Sequence, residues 1–192
     1  MILCLETATS VCSVALNDGN RCLALRECTG QNAHSEKITI FIKEVMDEVG
    51  MGYDQLDAVA VSMGPGSYTG LRIGVSTAKG VCYAADRKMM AVDTLQAMAV
   101  GFRDKMQAQI QPDDLLIPMI DARRMEVYAS VFDAQLNKLH DTAALVIDAH
   151  SFEDLLADHR IWLFGDGAPK LKAVFEGNAH VQIVDGFTPS AA

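Results

Sequence analysis

No stretch of this chain approaches the ~18 consecutive apolar residues that a membrane-crossing helix needs. Met1-Ile2-Leu3-Cys4-Leu5 is too short for a signal core, and Glu6 ends it with no basic residues ahead. No membrane association is expected, and the expected location is the cytoplasm. Basic charge is also scarce: 16 Lys and Arg stand against 25 Asp and Glu, for a net charge of −9 and a pI near 4.9. Coating nucleic acid over a broad surface requires a basic stripe that displaces counterions, so any contact with RNA is expected to be local or shared with a partner. The five cysteines, Cys4, Cys12, Cys22, Cys28 and Cys82, contain no C-x-x-C pair and fall mostly in apolar runs. They read as small core hydrophobes in a reducing compartment.

Standard catalytic motifs are missing as well. Counting from Gly64, Thr69 stands where a Walker A loop needs its second glycine, and also where the dinucleotide fingerprint needs its third. Neither Ser62 nor Ser67 sits in Gly-x-Ser-x-Gly. His34 opens a helical pattern, but a metal pair needs a second ligand one turn on, and that place holds Ile38. No metal site is expected.

What is present suits one large domain or two small lobes: 192 residues, 50% hydrophobic and 21% charged. Residues 2–5, 11–16 and 21–28 have strand character, and Asn17-Asp18-Gly19-Asn20 is a strong hairpin signal between the last two. Between the first two lies the acidic, hydroxyl-rich turn Glu6-Thr7-Ala8-Thr9-Ser10. Residues 33–49 show a helical stripe of Ile38, Phe41, Ile42, Val45 and Val49. A buried strand is expected at 57–63 and a helix at 70–85. Between them runs Gly64-Pro-Gly-Ser-Tyr-Thr-Gly-Leu-Arg-Ile-Gly74, with four of the fourteen glycines. Such density serves positive φ, close approach, or an anion cradle at a helix start. Gly70, Gly74, Ala78 and Cys82 recur every four residues, flanked by Leu71 and Val75, making a face on which another helix, of this chain or of a partner, can lie close. A strand at 89–92 and a helix at 94–107, with Thr94 as N-cap, complete the first half.

Gln111-Pro112-Asp113-Asp114 marks the lobe boundary. Strand signals follow at 115–120, at Val127, Ala129 and Val131, and at 138–147, 161–164 and 180–184. Short helices are expected at 151–157, capped by Ser151, and at 170–175. The corner Asp121-Ala122-Arg123-Arg124 could position a cation or nucleotide, or serve as a turn. No internal repeat is visible.

The glycine run, His34-Ser35-Glu36, Glu6-Thr7-Ala8-Thr9, and Asp121-Ala122-Arg123-Arg124 with Glu126-Val127-Tyr128 together resemble the bacterial TsaB (YeaZ) family, relatives of the actin, sugar-kinase and Hsp70 ATPases. The resemblance spans the chain and is strongest in its first half. It implies a two-lobed, actin-like ATPase (ribonuclease H-like) α/β fold of mixed sheets flanked by helices. Residues 1–110 would form the N-terminal lobe with the partner-binding helices, and 111–192 a reduced C-terminal lobe that stops where the family usually continues. It further implies a non-catalytic scaffold for making N6-threonylcarbamoyladenosine (t6A37) in tRNA. Such a subunit pairs with a TsaD-type transferase and a TsaE-type ATPase, forms a homodimer when alone, and meets tRNA only through the complex. The partner-binding residues implied are His34, Ile38, Phe41, Ile42, Val45, Leu71, Gly74, Val75, Ala78 and Cys82. A degenerate nucleotide site falls on Glu6, Thr7, Thr9, Asp121 and Arg123. There Glu6 replaces the superfamily's Asp, and Cβ atoms of Thr7-Ala8-Thr9 stand where phosphate approaches, so ATP binding is expected to be weak or absent and no cofactor is expected. The competing reading is an ATP-dependent small phosphotransferase, or a peptidase-like enzyme, of the same superfamily.

Overall fold

Gly19 takes a left-handed φ of +57° in the tight loop that joins β2 (Val11–Asp18) to β3 (Arg21–Thr29). With β1 (Ile2–Glu6) paired antiparallel to β2, the chain opens as the expected meander. The computed structural model describes residues 1–30 and 32–192. Its contacts divide it into two units, Met1–Thr94 with Pro189–Ala192, and Leu95–Thr188.

In the first unit, β4 (Ala58–Gly64) and β5 (Lys88–Asp93) add parallel to β1, giving the order β3-β2-β1-β4-β5. The helices α1 (Ala33–Val49) and α2 (Tyr68–Ala85) cover one face. Leu3, Leu5, Val14, Leu16, Val59 and Val61 meet Ile38, Ile42, Val45, Met46 and Ala78 there in one core. Strand alternation turns Ser13 to the opposite face. It is covered by residues 189–192, where the Ala191 N–H donates to Ser13 Oγ at 2.9 Å and Asn17 Nδ2 donates to the Ala191 carbonyl at 3.1 Å.

The second unit repeats that plan. β6 (Leu115–Asp121), β7 (Glu126–Asp133) and β8 (Lys138–Val146) form an antiparallel meander, and β9 (Ile161–Phe164) and β10 (Val181–Val184) add parallel on the other side of β6. The order β10-β9-β6-β7-β8 is the first sheet's topology, reproduced without a sequence repeat. The α/β class with two mixed sheets flanked by helices holds as expected.

The division falls at residue 94, not at 110. The helix α3 (Thr94–Met106) buries Leu95, Met98, Ala99 and Phe102 against Leu116, Ile120, Trp162 and Phe164, so it belongs to the second sheet. Phe102 stacks on Phe164 with centroids 3.8 Å apart. An amphipathic pattern shows that a helix buries one face, not which sheet receives it. Thr94 does not cap α3: it is the first helical residue, and its buried Oγ1 has no hydrogen-bond partner. Ser151 does not cap either. Phe152 precedes the short α4 (Glu153–Leu156), while Ser151 Oγ bonds the Asp148 side chain at 3.0 Å. The helix expected at 170–175 is a single 3-10 turn, Pro169–Leu171. Among the described residues no helix is long and apolar enough to cross a membrane.

The polar turn before β6 is held by one carboxylate. Asp114 accepts from Arg160 Nε at 2.9 Å, Trp162 Nε1 at 2.7 Å and the Gln111 N–H at 2.8 Å, with only 4% of its side chain exposed. Burial alone would raise its pKa, but the bonds from Arg160, the Gln111 amide and Trp162 outweigh burial and hold it below the usual carboxylate range. A depressed carboxylate contributes stability above its unfolded pKa, about 3.9, and loses it as pH falls through the folded value. Asp114→Ala should therefore cost about 3 kcal/mol at pH 7, since it removes the counter-ion of Arg160 and leaves the buried Trp162 N–H unpaired. Urea titrations at several pH values should show the gap to wild type shrinking below about pH 4.

Candidate functional site

Two strand-end corners carry the polar residues singled out above. In the first unit, Glu6, Thr7 and Thr9 come together in the turn after β1, and all three are buried. The Glu6 carboxylate accepts the Ala8 N–H at 2.5 Å and the Ser62 hydroxyl. Burial pushes the Glu6 pKa up, against the pull of those two bonds and of the Thr7 N–H. The Ala8 carbonyl accepts the Ser67 N–H at 2.6 Å. His34 Nε2 lies 2.8 Å from the Thr9 carbonyl. A carbonyl only accepts, so Nε2 carries the proton. Nδ1 is left buried without a partner.

This turn seats itself in the glycine run. A Cβ on Gly66 would stand 2.5 Å from the Ala8 carbonyl oxygen, one on Gly70 2.2 Å from the Thr7 carbonyl oxygen, and one on Gly74 2.3 Å from Thr7 Oγ1. Those separations are far inside van der Waals contact. Three missing methyl groups are the space that the turn occupies. Ser67 caps the helix start, its Oγ accepting the Gly70 N–H at 3.2 Å.

This placement revises the docking residues. Gly74, Ala78 and Cys82 face the chain's own core, as do Ile38, Ile42 and Val45 on α1. The small-residue face of α2 is packed in this core, and of the α1 residues Ile42 also lines the groove between the helices. His34, Phe41, Leu71 and Val75 are half-buried at the rim. The face of α1 and α2 that solvent reaches carries Ile40, Thr69, Arg72, Ser76 and Tyr83, with Tyr83 93% exposed. Tyr68 is exposed too, and the Arg72 guanidinium lies 5.3 Å from its ring centre. Between the helices runs a groove of about 550 Å³ lined by Thr39, Ile42, Tyr53, Thr77, Val81 and Ala84. Periodicity marks the apolar stripe, which is the buried one, so it pointed away from this face.

In the second unit, Asp121 and Arg123 share the corner between β6 and β7. The Lys170 ammonium pairs with the Asp121 carboxylate and donates to the Glu126 carbonyl at 2.6 Å. Asp121 Oδ1 accepts the Arg123 N–H at 2.9 Å, and the Asp121 N–H donates to Asp166 Oδ1 at 3.0 Å. Burial would raise the Asp121 pKa, but Lys170 and the Arg123 N–H outweigh it. Burial pushes the Asp166 carboxyl up. Lys170 and Asp166 reach the corner from more than forty residues away, and no local pattern announces them.

Ile38, one turn after His34, lies in the core, and among the described residues no three His, Cys, Asp or Glu side chains cluster.

Residues 29–181 match the model of the family described as TsaD, tRNA N6-adenosine threonylcarbamoyltransferase. Among curated proteins, the tRNA threonylcarbamoyladenosine biosynthesis protein TsaB of Haemophilus influenzae is 36% identical over 67% of this chain and 52% of its own. TsaB of Escherichia coli is 35% identical over 71% of this chain and 56% of its own. The chain thus spans about half the length of the curated relatives it matches. Among solved structures, YeaZ from Pseudomonas aeruginosa superposes with a TM-score of 0.78 at 25% identity, over 99% of this chain and 86% of that one.

Two measurements test the seated turn. Gly70→Ala should lose about 3 kcal/mol, because backbone must move, whereas Gly80→Ala on the same helix, with nothing within 4 Å, should gain about 0.5–1 kcal/mol. Glu6 carries the opposite linkage sign to Asp114: a raised carboxyl contributes most below its unfolded pKa of about 4.3, and that contribution is lost as pH rises through the folded value. Glu6→Gln keeps a donor and an acceptor in place, and should melt above wild type at pH 7 with the gap closing on acidification.

Proposed function

From the premise that this chain belongs to the TsaB (YeaZ) family, we propose that it is a partner subunit in tRNA N6-threonylcarbamoyladenosine formation, a scaffold for a TsaD-type transferase and not the transferase itself. The observation that carries this reading is the turn after β1. Its carbonyls and its carboxylate are bound within the chain, and its Cβ atoms and the glycine run close on each other where a phosphate would need open backbone amides. Ile38 supports it further, since a metal pair opened by His34 needs its second ligand one turn on and that place is an apolar side chain in the core. We take the working surface to be the exposed face of α1 and α2, bearing Ile40, Thr69, Arg72, Ser76 and Tyr83, with the half-buried Phe41, Leu71 and Val75 at its rim. The same face would serve the homodimer when the transferase is absent, and a TsaE-type ATPase would join the assembled pair. ATP is not a cofactor of this chain in that reading, tRNA is met through the complex, and the setting is the cytoplasm.

Co-expression with the TsaD-type protein tests the surface. Ser76 is exposed between the helices, so Ser76→Arg should leave the isolated chain's stability within about 0.5 kcal/mol. Copurification and tRNA threonylcarbamoylation should both be lost, because a desolvated cation at a close-packed helix interface has no partner. Retention of both would reject the surface, and micromolar ATP binding by calorimetry, abolished in Glu6→Ala, would reject the scaffold reading itself.

A further inference from the structure

Four of the five cysteines lie on the opening meander: Cys4 on β1, Cys12 on β2, Cys22 and Cys28 on β3. Cys12 is fully buried under α1, and Cys28 is half-buried at the margin of the same core. The register sets Cys12 directly opposite Cys28. Directly opposed residues of an antiparallel pair have Cα atoms roughly 4.5–5.5 Å apart, inside the window of about 4.4–6.8 Å that a disulfide spans. Cys4 and Cys22 are also near neighbours, but all of β2 lies between their strands. Two strand spacings separate their backbones by roughly 9–10 Å, too far to bridge. Cys82 sits on α2.

We propose that Cys12 and Cys28 are a redox pair that closes into a cross-strand disulfide by exchange with a low-molecular-weight disulfide such as oxidised glutathione. Cys28, the member that solvent reaches, attacks first as its thiolate. One glutathione thiolate leaves and a mixed disulfide remains on Cys28. Cys12 then gives up its proton, its sulfur attacks Cys28 Sγ, and the second glutathione departs. Two protein thiols are oxidised and one glutathione disulfide is reduced to two glutathiones, which take up the two thiol protons. Burial and the neighbouring Cys28 push the Cys12 thiol up to about 11. The second step therefore draws on a small thiolate fraction, which makes closure slow at neutral pH and faster as pH rises. The bond ties the edge strand β3 to β2 just before the chain turns into α1, without requiring either strand to move.

The test uses the full chain, incubated with graded ratios of oxidised to reduced glutathione, quenched in acid, and read by intact mass and peptide mapping. Apart from any glutathione carried on Cys22, the expected product has lost two hydrogens, carries a link between the peptides holding Cys12 and Cys28, and reverts fully with a dithiol reductant. Its rate of formation should rise about tenfold per pH unit between pH 7 and 9. Exposed Cys22 should take a removable glutathione adduct in every sample, an internal measure of reactivity. Cys12→Ala should stop at a Cys28 adduct, and Cys28→Ser should leave Cys12 unmodified because no reagent reaches it. A wild-type reaction that halts at the Cys28 adduct, a link to Cys4 or Cys22, or unchanged thiols at Cys12 and Cys28 under the most oxidising ratio would overturn the proposal. If a variant fails to fold, the wild-type map and its pH dependence still decide.

Discussion

Where Gly66, Gly70 and Gly74 lack side chains, the turn from Thr7 to Thr9 fits, and most of the first unit is arranged around that contact. It brings α2 against the end of β1, which positions Gly74, Ala78 and Cys82 on the core. It draws the Ser67 amide onto the Ala8 carbonyl and lets His34 close the far side through Thr9. A helix seated this closely has little freedom to slide, since Gly66 and Gly70 already lie against carbonyl oxygens and Gly74 against the Thr7 hydroxyl. One steric fact thus both fixes the packing of α2 and closes the Thr7–Thr9 turn against the glycine run.

The two buried carboxylates show how differently a charge can be accommodated. Asp114 has a guanidinium, an indole N–H and a backbone amide converging on it, and its ionised form is favoured despite burial. Glu6 has a hydroxyl and backbone amides but no cation, and burial prevails. The first arrangement stabilises the second unit's entry turn. The second retains, at the end of β1, an acidic group that burial pushes toward its neutral form. In the second unit, Lys170 on Asp121 satisfies the equivalent strand-end carboxylate from within the chain.

The two faces of α1 and α2 differ in what they present. The inward faces of α1 and α2 are spent on the first sheet, and the outward faces carry the mixture of aromatic, hydroxyl and guanidinium groups that suits a protein interface.

Local physics made much of this legible beforehand. The Asp-Gly hairpin, the stripe on α1, the strand before the glycine run, and the helix after it all follow from turn chemistry and hydrophobic period, and the structure places them within a few residues of expectation. The motifs at Glu6, His34, Gly64 and Asp121 were enough to mark the family. Tertiary contact decided the rest. Only the folded chain shows that α3 packs on the second sheet, that Lys170 and Asp166 reach Asp121, and that one topology is used twice without a repeat in sequence, since each depends on partners far along the chain. The glycine stretch marks the division most sharply. Its composition by itself narrowed the glycines to positive φ, a close approach to the backbone or an anion cradle, because those are what absent Cβ atoms permit. That the chain's own Thr7–Thr9 turn makes this approach was decided only when β1 and α2 were brought together in space.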